Sequence, residues 1–193
     1  PSPQNWPKVR SYLTITRALA GDLIDKLHRI GKVYADKFSN AVFVLGANEG
    51  VALRGTGDTK FHGVRGAKAP FTLAGDLKIK EVAFTESCID AISLRQIGFD
   101  GEIVATSGQS GKSARELADA YRLGGFEIFG AFDNDKVGQQ MAVAIAAASQ
   151  IEPKGGAKDW NAELVARASK PPSPISPKPQ APEPDRSFRP GGR

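Results

Sequence analysis

Apolar runs and helical patterns alternate along the chain between residues 81 and 149. Three apolar runs have the length and residue types of strands, and an amphipathic helical pattern follows each of them. The strands are predicted at 81–85, 102–105 and 126–132, and the helices at 88–97, 112–123 and 136–149. This alternation predicts a parallel sheet with right-handed crossovers. A short fourth strand at 151–152 and a last helix capped by Asp159 are expected to follow.

The first 80 residues carry a different pattern. Residues 1–30 have apolar positions spaced by three or four, which predicts two helices that end at Gly31. Short β-type runs at 33–35, 41–45 and 51–53, separated by turn-forming residues, predict a small antiparallel meander. The expected fold is therefore α/β, a parallel sheet flanked by helices with a small N-terminal helical plus antiparallel β module.

The pattern also predicts how the chain divides into domains. The N-terminal module is expected at residues 1–78 and the α/β domain at 79–169. The last segment, 170–193, holds eight of the 13 prolines and few large apolar side chains. Such a segment cannot bury enough surface to offset its chain entropy, so a disordered tail is predicted there.

Composition and charge narrow the class of protein only slightly. The formal net charge is +5 and the pI about 9.4, which mildly favours nucleic-acid partners. The single cysteine, Cys88, excludes a disulfide framework or a cysteine-rich zinc site within this chain. No apolar run approaches the length of a membrane span, so we expect a cytoplasmic protein. Because the chain begins at Pro1 and its only methionine is Met141, we expect further domains in a longer parent.

Acidic side chains follow two of the predicted strands. Glu86 comes directly after the first strand, and Asp133 and Asp135 come after the third. Ligands of α/β proteins bind at the carboxyl ends of parallel strands, so these three carboxylates are expected to converge at one edge. Carboxylate oxygens suit Mg²⁺, which is usually held by one or two of them together with water and substrate phosphate. Glu86 is also a candidate general acid or base.

Basic side chains cluster in residues 54–68, RGTGDTKFHGVRGAK, which also contain four glycines. Arginine and lysine bind phosphate, and glycine lets the backbone approach a ligand closely. A contact surface for the nucleic-acid backbone is one interpretation and a solvated hairpin tip is the other. The candidate residues in this segment are Arg54, Lys60, Arg65 and Lys68.

Residues 108–113, GQSGKS, are similar to the end of a Walker A loop. Thr106 stands where that pattern requires a glycine, which argues against an ATP-binding loop. The N-terminus of the following helix can still hold a phosphate, so Lys112 is a further candidate for nucleic-acid binding.

The two acidic motifs resemble those of the Toprim domain, which is shared by DnaG-type primases, topoisomerases and some nucleases. The sequence TESCIDAISL contains Glu86, and Asp133, in the motif FDND, lies 47 residues after that glutamate. The resemblance implies a Mg²⁺-dependent phosphoryl-transfer site, with Mn²⁺ as a substitute, formed by Glu86, Asp133 and Asp135. Asp159, in the motif KDWN, is then a candidate outer ligand, with helix capping as the alternative.

Upstream motifs extend the resemblance over residues 8–168. The sequences YLTITRAL, GKVYAD, NAVFVL and LRGTG are similar to the module that precedes Toprim-like domains in plasmid and mobile-element relaxases and primase-like proteins. The resemblance implies primase-like nucleotidyl transfer on DNA during plasmid or mobile-element replication or mobilisation. The implied partners are single-stranded or primer-template DNA, nucleotides and other domains of a longer polypeptide.

Two alternatives stay open at this point. The chain could be a non-catalytic DNA-binding or docking module of a relaxase or replication protein, or a Toprim-type nuclease. The sequence departs from DnaG-type primases because no zinc-binding module precedes the Toprim-like motifs. It departs from topoisomerases because all three tyrosines fit core or helix-face positions.

Overall fold

The computed structural model describes residues 1–58, 61–76 and 78–169. Within these residues the chain forms six α-helices and nine strands arranged in two sheets. The α/β fold predicted from the sequence is confirmed. Lys60 and the proline-rich segment 170–193 lie outside the described residues.

The N-terminal module begins with helices and continues as an antiparallel sheet. A 3₁₀ turn at Pro3–Asn5 leads into α1 (Trp6–Ser11), a π-helical turn (Tyr12–Thr16) and α2 (Gly21–Arg29). Strands β1 (Val33–Ala35), β2 (Ala41–Leu45), β3 (Gly50–Arg54) and β4 (His62–Gly66) pair in sequence order. The predicted meander is therefore present, and part of the basic segment supplies a fourth strand that the sequence analysis did not predict.

The second sheet has five strands in the order β5-β7-β6-β8-β9. Its elements are β5 (Phe71–Leu73), β6 (Glu81–Thr85), α3 (Cys88–Ile97), β7 (Glu102–Ala105), α4 (Gly111–Leu123), β8 (Glu127–Gly130), α5 (Lys136–Ala144), β9 (Ser149–Gln150) and α6 (Trp160–Ala168). Strand β6 pairs in parallel with both β7 and β8, and β8 pairs in parallel with β9. The carboxyl ends of these four strands therefore share one edge of the sheet.

Strand β5 departs from the predicted organisation. It precedes the predicted domain boundary at 78/79, yet it pairs antiparallel with β7 of the second sheet. Its Phe71 is fully buried and packs edge to face on Phe43 of the first sheet, with ring centroids 5.9 Å apart. Apolar residues of the N-terminal helices, both sheets and α3 form one continuous buried cluster. The two predicted domains thus share a core on this side.

The other face of the five-stranded sheet is covered by α4 and α5, around Phe84, Ile128 and Phe132. Helix α5 ends at Ala144, five residues earlier than predicted, because Ala146 takes a left-handed φ of 46° and the chain turns back. Strand β9 consequently lies at 149–150, not at the predicted 151–152. None of the helices in the described part of the chain has the length and apolar character needed to cross a membrane.

Candidate functional site

The predicted acidic residues lie at the carboxyl edge of the five-stranded sheet. Phe84 of β6 is opposite Gly130 of β8, so the two strands end side by side. Glu86 follows β6 directly, and Asp133 lies three residues beyond the end of β8. The Ala131 N–H donates to the Phe84 carbonyl at 2.8 Å, which holds the chain leaving β8 against the end of β6. The structure therefore brings Glu86 and Asp133 to the same edge.

Asp133 is a buried carboxylate with other acidic side chains near it. Its residue is only 8% exposed, whereas Glu86 is exposed to solvent. Burial raises the pKa of Asp133 to about 7, and the negative charges of Asp90, Glu86 and Asp159 contribute to that rise. The opposing cation is Lys158, whose Nζ lies 3.7 Å from Asp133 Oδ2. A second positive charge next to Asp133 would relieve the repulsion among these carboxylates.

Asp90 is a member of this acidic group that the sequence analysis missed. It lies in the first turn of α3 and is 7% exposed. The Ser87 hydroxyl donates to Asp90 Oδ2 at 2.5 Å, and the Asn161 N–H donates to Asp90 Oδ1 at 3.2 Å. Burial raises the pKa of Asp90 to about 6, with the charges of Asp159 and Glu86 adding to the effect. The sequence signal was an acidic residue in the first turn of the helix that directly follows Glu86.

Asp135 and Asp159 serve as helix caps at the same edge. Asp135 Oδ1 accepts hydrogen bonds from the N–H groups of Val137 and Gly138 at 3.0 and 2.9 Å. Asp159 Oδ1 accepts from the Ala162 N–H at 2.7 Å, as the sequence predicted. Each aspartate thus uses its Oδ1 to cap a helix: Asp135 caps α5 and Asp159 caps α6.

Gly138 brings the start of α5 close to Asp133. A Cβ at position 138 would lie 2.0 Å from the Asp133 carbonyl oxygen, so no side chain fits there. The glycine lets the first turn of α5 pack directly on the backbone of Asp133. This packing, together with the Asp135 cap, fixes the D-x-D segment where it leaves the sheet.

The donor set fits a partly solvated cation better than a closed protein cage. Among the described residues, no three aspartate, glutamate, histidine or cysteine side chains are gathered closely enough to hold a metal alone. Mg²⁺ commonly takes one or two carboxylates and completes its shell with water and substrate phosphate. Glu86 and Asp133 supply two carboxylates of that kind, and the negative charges of Glu86 and Asp90 both act on Asp133.

The predicted basic residues do not share one surface. Arg65 pairs with Val51 in the β3–β4 ladder, so the two side chains lie on the same face of the sheet. Arg54 is three residues beyond Val51 in β3, and because side chains alternate along a strand it lies on the other face. Burial raises the pKa of the Cys88 thiol, and the positive charge of Arg54 opposes that rise, which places Arg54 on the side of the sheet that faces Cys88, the first residue of α3. Arg65 instead lines a surface pocket of about 520 Å³ with Tyr34 on the opposite face.

Two further basic residues accompany Arg54 near the acidic edge. The Lys68 carbonyl accepts a hydrogen bond from Gln109, in the loop that follows β7, at 3.2 Å. Lys112 is exposed in the first turn of α4, immediately after the same loop. Ser110, not a phosphate-binding loop, supplies the cap of that helix by accepting from the Ser113 N–H.

Comparisons with known proteins agree with this architecture. The Toprim-like family model matches residues 83–164, and a protein family of unknown function, DUF3991, matches residues 11–72. No curated protein matches the chain. Solved structures similar to it include the primase fragment of the bacteriophage T7 primase-helicase protein, at 18% identity and a TM-score of 0.57 over 80% of this chain and 69% of that one.

Two DnaG structures are also similar. The RNA polymerase domain of Mycobacterium tuberculosis primase DnaG has 14% identity and a TM-score of 0.53, over 84% of this chain and 72% of that one. A DnaG primase catalytic domain bound to ssDNA has 13% identity and a TM-score of 0.51, over 84% and 70%. At such identities the likeness shows the fold. The chain therefore contains a Toprim-like domain preceded by a DUF3991 module, and together they have the fold of primase catalytic cores.

Proposed function

We propose that the chain carries out primase-like, Mg²⁺-dependent nucleotidyl transfer on DNA. The observation that supports this proposal most directly is the buried, incompletely neutralised Asp133 beside Glu86 and Asp90, at the carboxyl edge of a Toprim-like sheet. Asp133 is costly to keep charged at neutral pH without a nearby cation. A divalent ion is the partner that offsets this cost and matches the oxygen donors.

In this proposal, Glu86 and Asp133 hold the metal, and Mn²⁺ can replace Mg²⁺. The bound ion would polarise phosphate oxygens and stabilise the charge that develops during phosphoryl transfer. Asp135 keeps the start of α5 fixed behind Asp133 through its two cap hydrogen bonds. Glu86 is the exposed carboxylate, so it is also the one that a substrate hydroxyl reaches as a proton acceptor.

The proposed substrate is single-stranded or primer-template DNA together with nucleotides. In this proposal, Arg54, Lys68 and Lys112 attract the phosphate backbone. The charge effect of Arg54 on Cys88, the contact of the Lys68 carbonyl with the loop after β7 and the position of Lys112 in the first turn of α4 support this role. Binding of ssDNA by the similar DnaG catalytic domain is consistent with this choice. We propose that the chain works within a longer polypeptide of a plasmid or mobile element, whose other domains supply what a DnaG-type primase draws from its zinc-binding module.

The test is primer synthesis on single-stranded DNA with nucleotides and Mg²⁺. Glu86→Gln and Asp133→Asn should each reduce the rate by about a hundredfold or more, a loss of about 2.7 kcal/mol in transition-state stabilisation. Glu116→Gln, an exposed glutamate on α4, is the matched control and should keep full activity. Primer synthesis that survives both acidic-site substitutions would contradict the proposal.

A non-catalytic docking module is the second candidate. It is favoured by the lack, within the described residues, of three acidic or histidine side chains grouped tightly enough to hold a metal. That candidate predicts DNA binding that weakens steeply with salt, no primer synthesis, and no effect of Asp133→Asn on binding. Nicking of plasmid DNA in a parallel assay, lost in the same variant, would point instead to a Toprim-type nuclease.

A further inference from the structure

The turn that joins the π-helical turn to α2, residues 17–20, is clamped onto the Toprim-like domain. Gln96 of α3 donates from Nε2 to the Ala18 carbonyl at 3.1 Å, and its Oε1 accepts from the Ala20 N–H at 2.7 Å. Ala18 has a left-handed φ of 54°, a conformation that is unfavourable for a residue with a Cβ. The surrounding contacts must therefore compensate for the strain in this turn.

Asn161, in α6, supplies the buried part of this clamp. The residue is 4% exposed, and its Nδ2 donates to the Arg17 carbonyl at 2.8 Å and to Ser93 Oγ at 3.0 Å. Its Oδ1 accepts from Arg17 Nη1 at 3.2 Å. Both amide hydrogens and the amide oxygen are thus in use, which fixes the orientation of the side chain. Arg17 is itself held by a 2.7 Å hydrogen bond from Nε to the Tyr12 hydroxyl.

The backbone of the same residue contacts the acidic site. The Asn161 N–H donates to Asp90 Oδ1 at 3.2 Å, and this N–H belongs to the first turn of α6, which Asp159 caps. The neighbouring Trp160 donates from Nε1 to the Ala131 carbonyl at 2.7 Å, where the chain leaves β8 toward Asp133. Asn161 therefore joins the N-terminal module through its side chain and the acidic group through its backbone.

We propose that Asn161 is a positioning residue for the acidic site, and that Arg17 makes cation binding at that site depend on the N-terminal module. The Asn161 amide locks the first turn of α6 against Arg17, so that the turn presents its N–H to Asp90 and holds Asp159 nearby. This inference rests on the proposed function, because it assumes that Glu86 and Asp133 bind a divalent ion. Partners of this kind behind metal ligands commonly change metal affinity tenfold or more.

A purely structural role for Asn161 makes a different prediction. Removing buried hydrogen bonds would then lower the stability of the fold and leave the affinity of the folded protein for the cation unchanged. Cation affinity, measured separately from stability, therefore distinguishes the two roles. Arg95 provides a matched control, since it is partly buried, makes several hydrogen bonds to backbone carbonyls and lies at the opposite edge of the sheet.

The experiment titrates the full chain with Mn²⁺ and follows free Mn²⁺ by electron paramagnetic resonance, with urea unfolding measured in parallel. Wild-type protein should bind Mn²⁺ at a site that Asp133→Asn removes. Asn161→Ala should raise the Kd about tenfold. Arg17→Ala should raise it less, because Asn161 keeps its hydrogen bonds to the backbone carbonyl of residue 17 and to Ser93. Arg95→Ala should lower stability without changing the Kd.

The outcomes separate this inference from the proposed function. Wild-type Mn²⁺ binding that Asp133→Asn does not affect would overturn the proposed metal site and this inference with it. Site-specific binding with an unchanged Kd in folded Asn161→Ala and Arg17→Ala would overturn the inference alone. If Asn161→Ala does not fold, Arg17→Ala decides by itself, because its side chain is partly exposed and its loss leaves the core intact.

Discussion

The two edges of the five-stranded sheet differ in how their charged side chains are compensated. At the amino edge, Arg95 donates hydrogen bonds to the carbonyls of Phe99, Gly101 and Ala74 at 2.7, 2.7 and 3.1 Å. These charged hydrogen bonds join the turn that leads into β7 to the residue that follows β5. At the carboxyl edge, Asp133 and Asp90 are buried among further acids.

This contrast indicates that the carboxyl edge is the less stable of the two edges. Charge and hydrogen-bonding partners are balanced at the amino edge, so substitutions there should cost stability and nothing else. At the carboxyl edge, Lys158 offsets the negative charge of Asp133 only in part, because its side chain is mostly exposed. Such unfavourable arrangements persist where function needs them, and removing one should make the folded chain more stable. Each of the following substitutions tests that difference.

The largest effect is expected for Asp133→Asn. The pKa of Asp133 is raised to about 7 in the folded state, so the native state binds more protons than the unfolded state between about pH 4 and pH 7. Ionised Asp133 therefore costs stability as the pH rises through this window. Asp133→Asn should raise the free energy of unfolding at pH 8 by on the order of 3 kcal/mol, with a gain that shrinks toward pH 4.

Urea unfolding at pH 8 and at pH 4 measures this gain. Asp119→Asn, which removes a surface carboxylate paired with Arg115 and Arg122, is the control and should show no such pH-dependent gain. If Asp133→Asn is as stable as wild type at both pH values, the carboxyl edge does not store unfavourable charge and the comparison between the two edges fails.

The opposite sign is expected for Arg95→Ala. The substitution removes charged hydrogen bonds to four backbone carbonyls, those of Leu73, Ala74, Phe99 and Gly101. Water can replace only part of these bonds, so the free energy of unfolding should fall by about 2 kcal/mol. The loss should be the same with and without Mg²⁺, because the acidic residues are at the other edge. A loss that depends on Mg²⁺ would show that the two edges are coupled.

Much of the fold followed from the sequence because its elements are locally encoded. Helix α3 and strand β7 have the predicted bounds, since each has a clear periodicity and a glycine or turn at its ends. Strand β5 was missed because three residues carry no detectable period, and its partner β7 lies some 30 positions away. Pairing at such a distance depends on the shared core around Phe71, which local patterns do not reveal.

The site residues likewise fall into those that local sequence patterns predict and those that only the folded chain reveals. Glu86 and Asp133 were predictable because both follow strands, whereas Asp90 sits inside a helix, where an acidic residue is usually solvated. The separation of Arg54 from Arg65 depends on strand register in β3 and β4, which the basic segment alone does not specify. The Arg17–Asn161 contact spans 144 positions and could be seen only in the folded chain.

A moderate gain in stability is expected from the cation itself. An ion that binds only the folded state stabilises it by RT ln(1 + [L]/Kd), which is about 1.4 kcal/mol at ten times the Kd. Thermal unfolding of wild-type protein at pH 8 should therefore shift upward with Mg²⁺ or Mn²⁺. Asp133→Asn should lose this shift while Glu116→Gln keeps it, and equal shifts in all three proteins would indicate binding elsewhere.

The smallest effect is expected for Lys158→Ala, which removes the cation nearest to Asp133. The Nζ is 3.7 Å from Asp133 Oδ2 and the side chain is 68% exposed, so the ion pair should contribute only about 0.5 kcal/mol. Removing it should raise the pKa of Asp133 further and tighten Mn²⁺ binding about two- to threefold, because a competing positive charge is gone. Lys78→Ala, exposed and distant from the acids, should leave the Kd unchanged. Weaker Mn²⁺ binding in Lys158→Ala would mean that Lys158 supports the cation site. The negative charge at the carboxyl edge would then be better compensated than the comparison of the two edges requires.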